Sequence, residues 1–232
     1  MEKKAFFSAK NVAYLGVLLA LVIVLQAVGG TIVIGPVQLN FTLIPIALGA
    51  ILFGVWGGML LGFACGIVVL IQVIVGTVPF YTVIWNGSPV VTTFTCVLKT
   101  TVAGVVAGLL YGVIAKKSKI AATFVVAGLV PVVNTLLFII GCLCMPATIQ
   151  SINAEGANLL VFILVSIVTF NFFIEFAINV VLAPAIHRVV LVVEKQIGKR
   201  KGHKAVSEPS EESALNGHSE RSEESHDTQS EE

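Results

Sequence analysis

From Asn11 to Arg188 the chain is a series of long apolar runs separated by short breaks, and the run lengths predict helices that cross a bilayer. About 20 apolar residues in a helix span the hydrocarbon core. Six runs approach that length: about Asn11 to Val28, Phe41 to Gly54, Trp56 to Val75, Val90 to Ala115, Ile120 to Leu143, and Asn158 to about Arg188. The second is short and contains Pro45. Only GVWGG at 54–58, a glycine-rich interruption, separates it from the third. One helix from Phe41 to Val75 would be about 50 Å long, too long for a single crossing, so two spans are expected there.

The basic residues test that count independently. Lys3, Lys4 and Lys10 precede the first run, Lys116, Lys117 and Lys119 sit between the fourth and fifth, and Arg188, Lys195, Lys199, Arg200 and Lys201 follow the sixth. The opposite loops, Gly29 to Leu39, Thr77 to Pro89 and Cys144 to Ala157, hold no lysine or arginine. Six crossings put all three basic clusters on the cytoplasmic side, with both termini, whereas an odd number would divide them. The expected fold is therefore an all-α membrane protein, a bundle of six transmembrane helices. The first run follows lysines as a secretory signal would, but it is long enough to span and further spans follow, so a retained helix is expected.

Composition agrees with a membrane class: 56% of the 232 residues are hydrophobic and 12% charged. The net charge of +1 averages two unlike parts, because nine of thirteen acidic residues follow Gly202. There SEPSEESA at 207–214 is echoed by SERSEESH at 219–226, sequence too polar to offset chain entropy by burial. The division expected is a cytoplasmic N-terminus at 1–10, a six-helix transmembrane domain at 11–201 and a disordered acidic cytoplasmic tail at 202–232. Cys65, Cys96, Cys142 and Cys144 lie in or beside apolar runs with no histidine near them, so they are expected to be small packing residues and no metal site is expected.

Small residues predict how the helices meet. Gly58, Gly62 and Gly66 recur every fourth position, as do Gly104, Gly108 and Gly112, and both stripes suit close packing within the bundle. Ala13, Gly16 and Ala20 make a third seam on the first helix, facing either a sister helix or a partner protein. The outer loops GGTIVIGPVQLN and TVPFYTVIWNGSP are apolar for loops. Either they fold back over the domain as a lid, or Tyr81 and Trp85 are interfacial belt residues.

Candidate chemistry starts with Lys99, which stands about nine residues from the outer end of its run, roughly 14 Å deep. A charged, unpaired lysine there costs about 3 kcal/mol, so a partner or a wet cavity is expected. Asn134, Asn171 and Glu175 fall near the same depth, and Asn171, Glu175 and Asn179 share a helical face at intervals of four. Gln72 and Gln26 lie nearer the outer ends of their runs. Lys99, Asn134, Asn171, Glu175 and Gln72, with Trp85 and Asn86 in the outer loop, form the candidate substrate-binding set. Two readings stay open: Lys99 and Glu175 pair and lock two helices, or they line a pocket in which Lys99 meets an anionic group. No HExxH pattern and no phosphate-binding glycine loop occurs, so neither an enzyme nor self-supplied ATP hydrolysis is expected.

The short second span with LIPIALGAILFGVWGGMLLGFACGIVVLI at 43–71, LKTTVAGVVAGLLYGVIAKKSK at 98–119, PVVNTLLFIIGCL at 131–143 and FNFFIEFAINVVLAPAI at 170–186 resemble the S components of energy-coupling factor (ECF) transporters. The resemblance covers about Asn11 to Arg188. It implies a substrate-specific membrane subunit that binds a vitamin or related small organic micronutrient in an outward-facing pocket. It implies as partners a membrane coupling protein, the T component, and two ABC-type ATPases that supply the energy, with toppling of the S component to release substrate inside. No cofactor is implied. Many members dock through an Ala-xxx-Ala seam on the first helix. Gly16 and Ala20 match that spacing with glycine first, and Ala13 shares the face, although Val17 holds its fourth-residue position. Metal-binding members carry an amino-terminal histidine-bearing segment, which this sequence lacks. Two rival functions are a proton- or sodium-coupled secondary transporter that uses Glu175, and a structural membrane protein with no ligand.

Overall fold

The computed structural model describes residues 9–29, 33–34, 37–38, 40–77, 79–153, 156 and 158–206, with backbone alone at 9–10, 33–34, 37–38, 166–167, 169–171 and 196–206. Long apolar sequence with few backbone breakers gives long helices, because inside a bilayer each N–H and C=O must be satisfied within its own segment. The order is α1 (Ala9–Gly29), a minimal antiparallel pair β1 (Val33–Ile34) and β2 (Val37–Gln38), α2 (Leu43–Val75), α3 (Pro79–Gly87), α4 (Pro89–Ile114), α5 (Lys119–Leu143), α6 (Pro146–Ile152), α7 (Leu159–Val161), a π-helical stretch (Phe162–Val168), and α8 (Thr169–Val206). The chain forms two units, Met1–Val190 and Leu191–Glu232. The first holds the bundle. The second is described only as the end of α8, which runs past the Gly202 boundary that composition suggested. The tail at 207–232 and Lys3 and Lys4 lie outside the described residues.

Among the described residues five helices are long and apolar enough to cross a membrane: Asn11–Gly29, Leu43–Val75, Pro89–Ile114, Lys119–Leu143 and Phe172–Lys195. The sequence pattern predicts six, and the difference lies within α2. Gly54 has φ 68° and ψ −154°, a conformation open almost only to glycine. Around it the element folds back on itself. A Cβ on Gly49 would strike Leu61 and approach the Gly57 carbonyl, and one on Gly58 would meet Ala50 Cβ. In a straight helix residues eight apart stand about 12 Å from each other along the axis. Leu43–Val75 is therefore two helical arms joined at Gly54, at the punctuation that separates the second and third apolar runs.

The arm of α2 that follows Gly54 packs antiparallel on α4, backbone against backbone. Gly58 lies on Gly104, Gly62 on Thr100, Gly66 on Cys96 and Val97, and Gly108 on Gly54 and Val55. One helix advances four residues as the other retreats four, so both glycine stripes fall on a single seam. Thr100 Oγ1 donates to the Gly62 carbonyl at 2.6 Å across it. Gly112 departs from the predicted role, since nothing lies within 4 Å of where its Cβ would be. α5 joins α4 through Gly141 against Thr95, and approaches α8 through Gly128 against the Phe176 ring.

The short helices α3 and α6 close one end of the bundle. α3 buries Phe80, Tyr81 and Ile84, and α6 buries Ile149. Ser88 Oγ and Thr148 Oγ1 meet at 3.4 Å, and Gly87 sits against Thr148. The loops carrying these helices are apolar because they pack on the bundle.

Candidate functional site

Lys99 reaches its partner through α3. Its Nζ donates to the Tyr81 hydroxyl at 3.1 Å and lies 5.2 Å from the centres of both the Tyr81 and Phe138 rings. Ring faces carry partial negative charge, so the two aromatics and one phenol oxygen replace part of the hydration the ammonium gave up. Phe80, Tyr81 and Phe138 pack mutually with ring centres 5.7 to 6.3 Å apart, which fixes that box. Burial pushes the Tyr81 phenol above its ordinary pKa, so the hydroxyl keeps its proton and meets Lys99 through an oxygen lone pair. Tyr81 is thus a bonded core residue beneath the bundle's cap and not part of an interfacial belt.

Glu175 anchors a second polar group in the interior. Its Oε1 accepts the main-chain N–H of Asn40 at 2.8 Å, just before α2 begins. Asn40 Oδ1 in turn accepts the Thr42 hydroxyl and, at 3.3 Å, the Thr42 N–H. Thr42 Oγ1 meets Cys65 Sγ at 2.9 Å. One turn along α8, Asn179 Nδ2 donates to the Glu175 carbonyl at 2.8 Å. That bond sets the amide orientation, since only the NH2 side has a hydrogen to give. Asn179 Oδ1 is left buried with no partner, in a residue 1% exposed.

Lys99 and Glu175 are 5% and 7% exposed and near enough for their charges to interact, yet among the described residues no ion pair joins them. The simple helix lock, with the two side chains in contact, is not what the structure holds. Asn134 is buried on α5 with its Oδ1 unpartnered. Because Thr95 sits against Gly141 and Lys99 beside Phe138, Asn134 stands about one turn deeper than Lys99.

The other predicted residues fall elsewhere. Gln72 accepts from Gln26 Nε2 at 2.8 Å and donates to the Gln26 carbonyl at 3.2 Å, which ties α1 to α2. Trp85 is half-buried against the core and Asn86 is exposed. The side chain of Asn171 lies outside the described residues. Ala13, Gly16 and Ala20 are exposed on α1, and a Cβ on Gly16 would meet nothing within 4 Å, so the seam faces away from the chain's own helices. The opposite face of α1 buries Leu18, Val22 and Gln26.

Several participants escape sequence reasoning. Phe138 carries no polar signal. Asn40 and Thr42 sit at the end of an apolar loop, and their link to Glu175 spans most of the chain. Cys65 is the buried packing residue its neighbours suggest, and it also touches the Thr42 hydroxyl.

Asn40, Phe41, Glu175, Ile178 and Asn179 line a narrow crevice. The interatomic space there is about 170 Å3, open solvent included, and nowhere wide enough for a water-sized sphere. The arrangement can offer a cation in an aromatic box on one side and a carboxylate with an amide oxygen on the other. Both are held by groups of the chain itself.

No curated protein matches the chain. A family model described as "ECF transporter, substrate-specific component" matches residues 10–187. That range takes in the α2–α4 seam, the Lys99 box and the Glu175 crevice, and the chain belongs to the family of substrate-specific components of ECF transporters.

Proposed function

We propose that the chain binds a vitamin or similar small organic micronutrient from outside the cell and delivers it through an ATP-driven importer. In this reading Lys99 meets an anionic group of the solute, Asn134 and Asn179 read polar edges, and Glu175 binds at the opposite end. The observation that carries it is the unjoined pair: opposite charges buried in one interior, each satisfied by neutral groups. In a medium of low dielectric a structural pair gains most by direct contact, so charges kept apart remain available to a third party. Solute entry requires the segment before α2 or the α3 cap to move, since the crevice has no room as it stands.

Six crossings with both termini in the cytoplasm fit the break at Gly54 and the placement of basic residues between and after the runs. The partners are a T component and two ABC-type ATPases, with the Ala13–Gly16–Ala20 face of α1 as the docking surface. Native mass spectrometry of the protein purified from its host tests the central statement. A bound small molecule that is lost in Lys99→Ala is expected. Protein that carries no solute and recovers no coupling protein would remove the reading.

A further inference from the structure

The crevice beside Glu175 presents a carboxylate and an open amide oxygen, and these bear on which end of a solute it takes. Glu175 presents a carboxylate. Asn179 gives one N–H of its NH2 to the Glu175 carbonyl, and its Oδ1 is buried with no partner, an acceptor left open beside the carboxylate. Both residues line the same crevice, whose remaining walls include the apolar side chains of Phe41 and Ile178. A carboxylate and an open amide oxygen between apolar walls disfavour an anion and suit a flat group rich in N–H.

A second feature points the same way. The donor now on Glu175 is the main-chain N–H of Asn40, part of a planar amide. Asn40 is itself held by Thr42 at the entry to α2, and Asn40 and Phe41 both border the crevice. Displacing this short segment would free a carboxylate oxygen and widen the crevice in one movement. A solute N–H would then take the place the chain's own N–H holds. Lys99 leaves the carboxylate without a contact ion pair among the described residues, so a cation there neutralises a charge that the chain does not.

We propose that this crevice is the subsite for a planar cationic N–H donor of the amidinium type, and that the natural solute is zwitterionic, with its anionic end toward Lys99. This rests on the reading of the chain as a solute-binding subunit and names the chemistry of the second end.

The test uses the full chain in detergent micelles and three small probes of one shape: benzamidinium, benzamide and benzoate, followed by isothermal titration calorimetry. Benzamidinium is expected to bind tighter than benzamide. Glu175→Gln should weaken benzamidinium about tenfold or more, and by a larger factor than it weakens benzoate, because a charge-assisted bond becomes a neutral one. Asn179→Leu should reproduce the selective loss, which preserves the comparison if Glu175→Gln does not fold. Equal losses for both ions, or benzamidinium affinity untouched by both variants, would overturn the subsite. Binding of benzoate alone, dependent on Lys99, would overturn the subsite while leaving the solute-binding reading standing. Binding of none of the three would count against both.

Discussion

At the scale of single residues the decisive groups are ones whose polarity is costly where they lie. Lys99 is tolerated because Tyr81 and Phe138 surround its ammonium, and the two neighbours contribute differently. Tyr81→Phe keeps both ring faces and removes the hydrogen-bonded oxygen. It should lower stability by about 1 to 2 kcal/mol, since a buried charged donor loses its acceptor. Thermal unfolding in detergent checks this; an unchanged midpoint would mean another group takes over the proton donor. Lys99→Met keeps the aliphatic stem and discards the charge, so the bundle should stay folded. The amount of anionic solute carried through purification should fall about tenfold or more, the worth of a charge-assisted bond. A fall in stability with full solute retention would make Lys99 a structural residue only.

Whole elements are governed by where backbones touch. The seam between α2 and α4 exists because glycines occur every fourth residue on both helices, and the three positions Gly54, Gly104 and Gly112 make separable predictions. At Gly54 a Cβ has open space around it, so Gly54→Ala meets only the backbone conformation and should cost about 1 to 3 kcal/mol. At Gly104 the backbone is helical but a Cβ would collide with the Gly58 carbonyl. Gly104→Ala should force the helices apart and cost more than Gly54→Ala. At Gly112 neither problem exists, so Gly112→Ala should gain up to about 1 kcal/mol of helix propensity. The ranking of the three unfolding midpoints is the measurement, and Gly104→Ala as mild as Gly112→Ala would refute the close seam. The same three positions show what was legible in the sequence. The break near Gly54 follows from the glycine-rich punctuation and the run length, and spacing encodes which face of each stripe is small, but that the two stripes meet each other is seen only in the structure. That Gly112 stands free does not follow, because spacing carries no information on where a partner helix ends. Likewise the depth of Lys99 follows from counting residues, while its contact with Tyr81 depends on a nine-residue helix packing onto the bundle end. Gln72 reads as a pocket residue until the structure sets Gln26 opposite it.

For the molecule as a whole the question is which surface meets the transport machinery, and α1 supplies the sharpest comparison. Its two faces differ in kind: Leu18, Val22 and Gln26 are buried against the chain, while Ala13, Gly16 and Ala20 point outward. Small outward residues cost nothing against lipid, but they give lipid little to pack on, whereas another helix gains close contact there. That face is the one proposed above as the contact with a coupling protein. Ala20→Trp adds a large ring to an exposed position on this face and removes nothing from the bundle core. It should abolish co-purification with the T component and ATPases, while benzoate titration of the isolated subunit stays within about twofold of wild type, the scatter expected for a surface change distant from the site. Leu21→Trp, an exposed position turned about 100° around the same helix from Ala20, is the matched control and should leave the complex intact. If the complex survives Ala20→Trp and fails with Leu21→Trp, the coupling protein sits on a different face of α1.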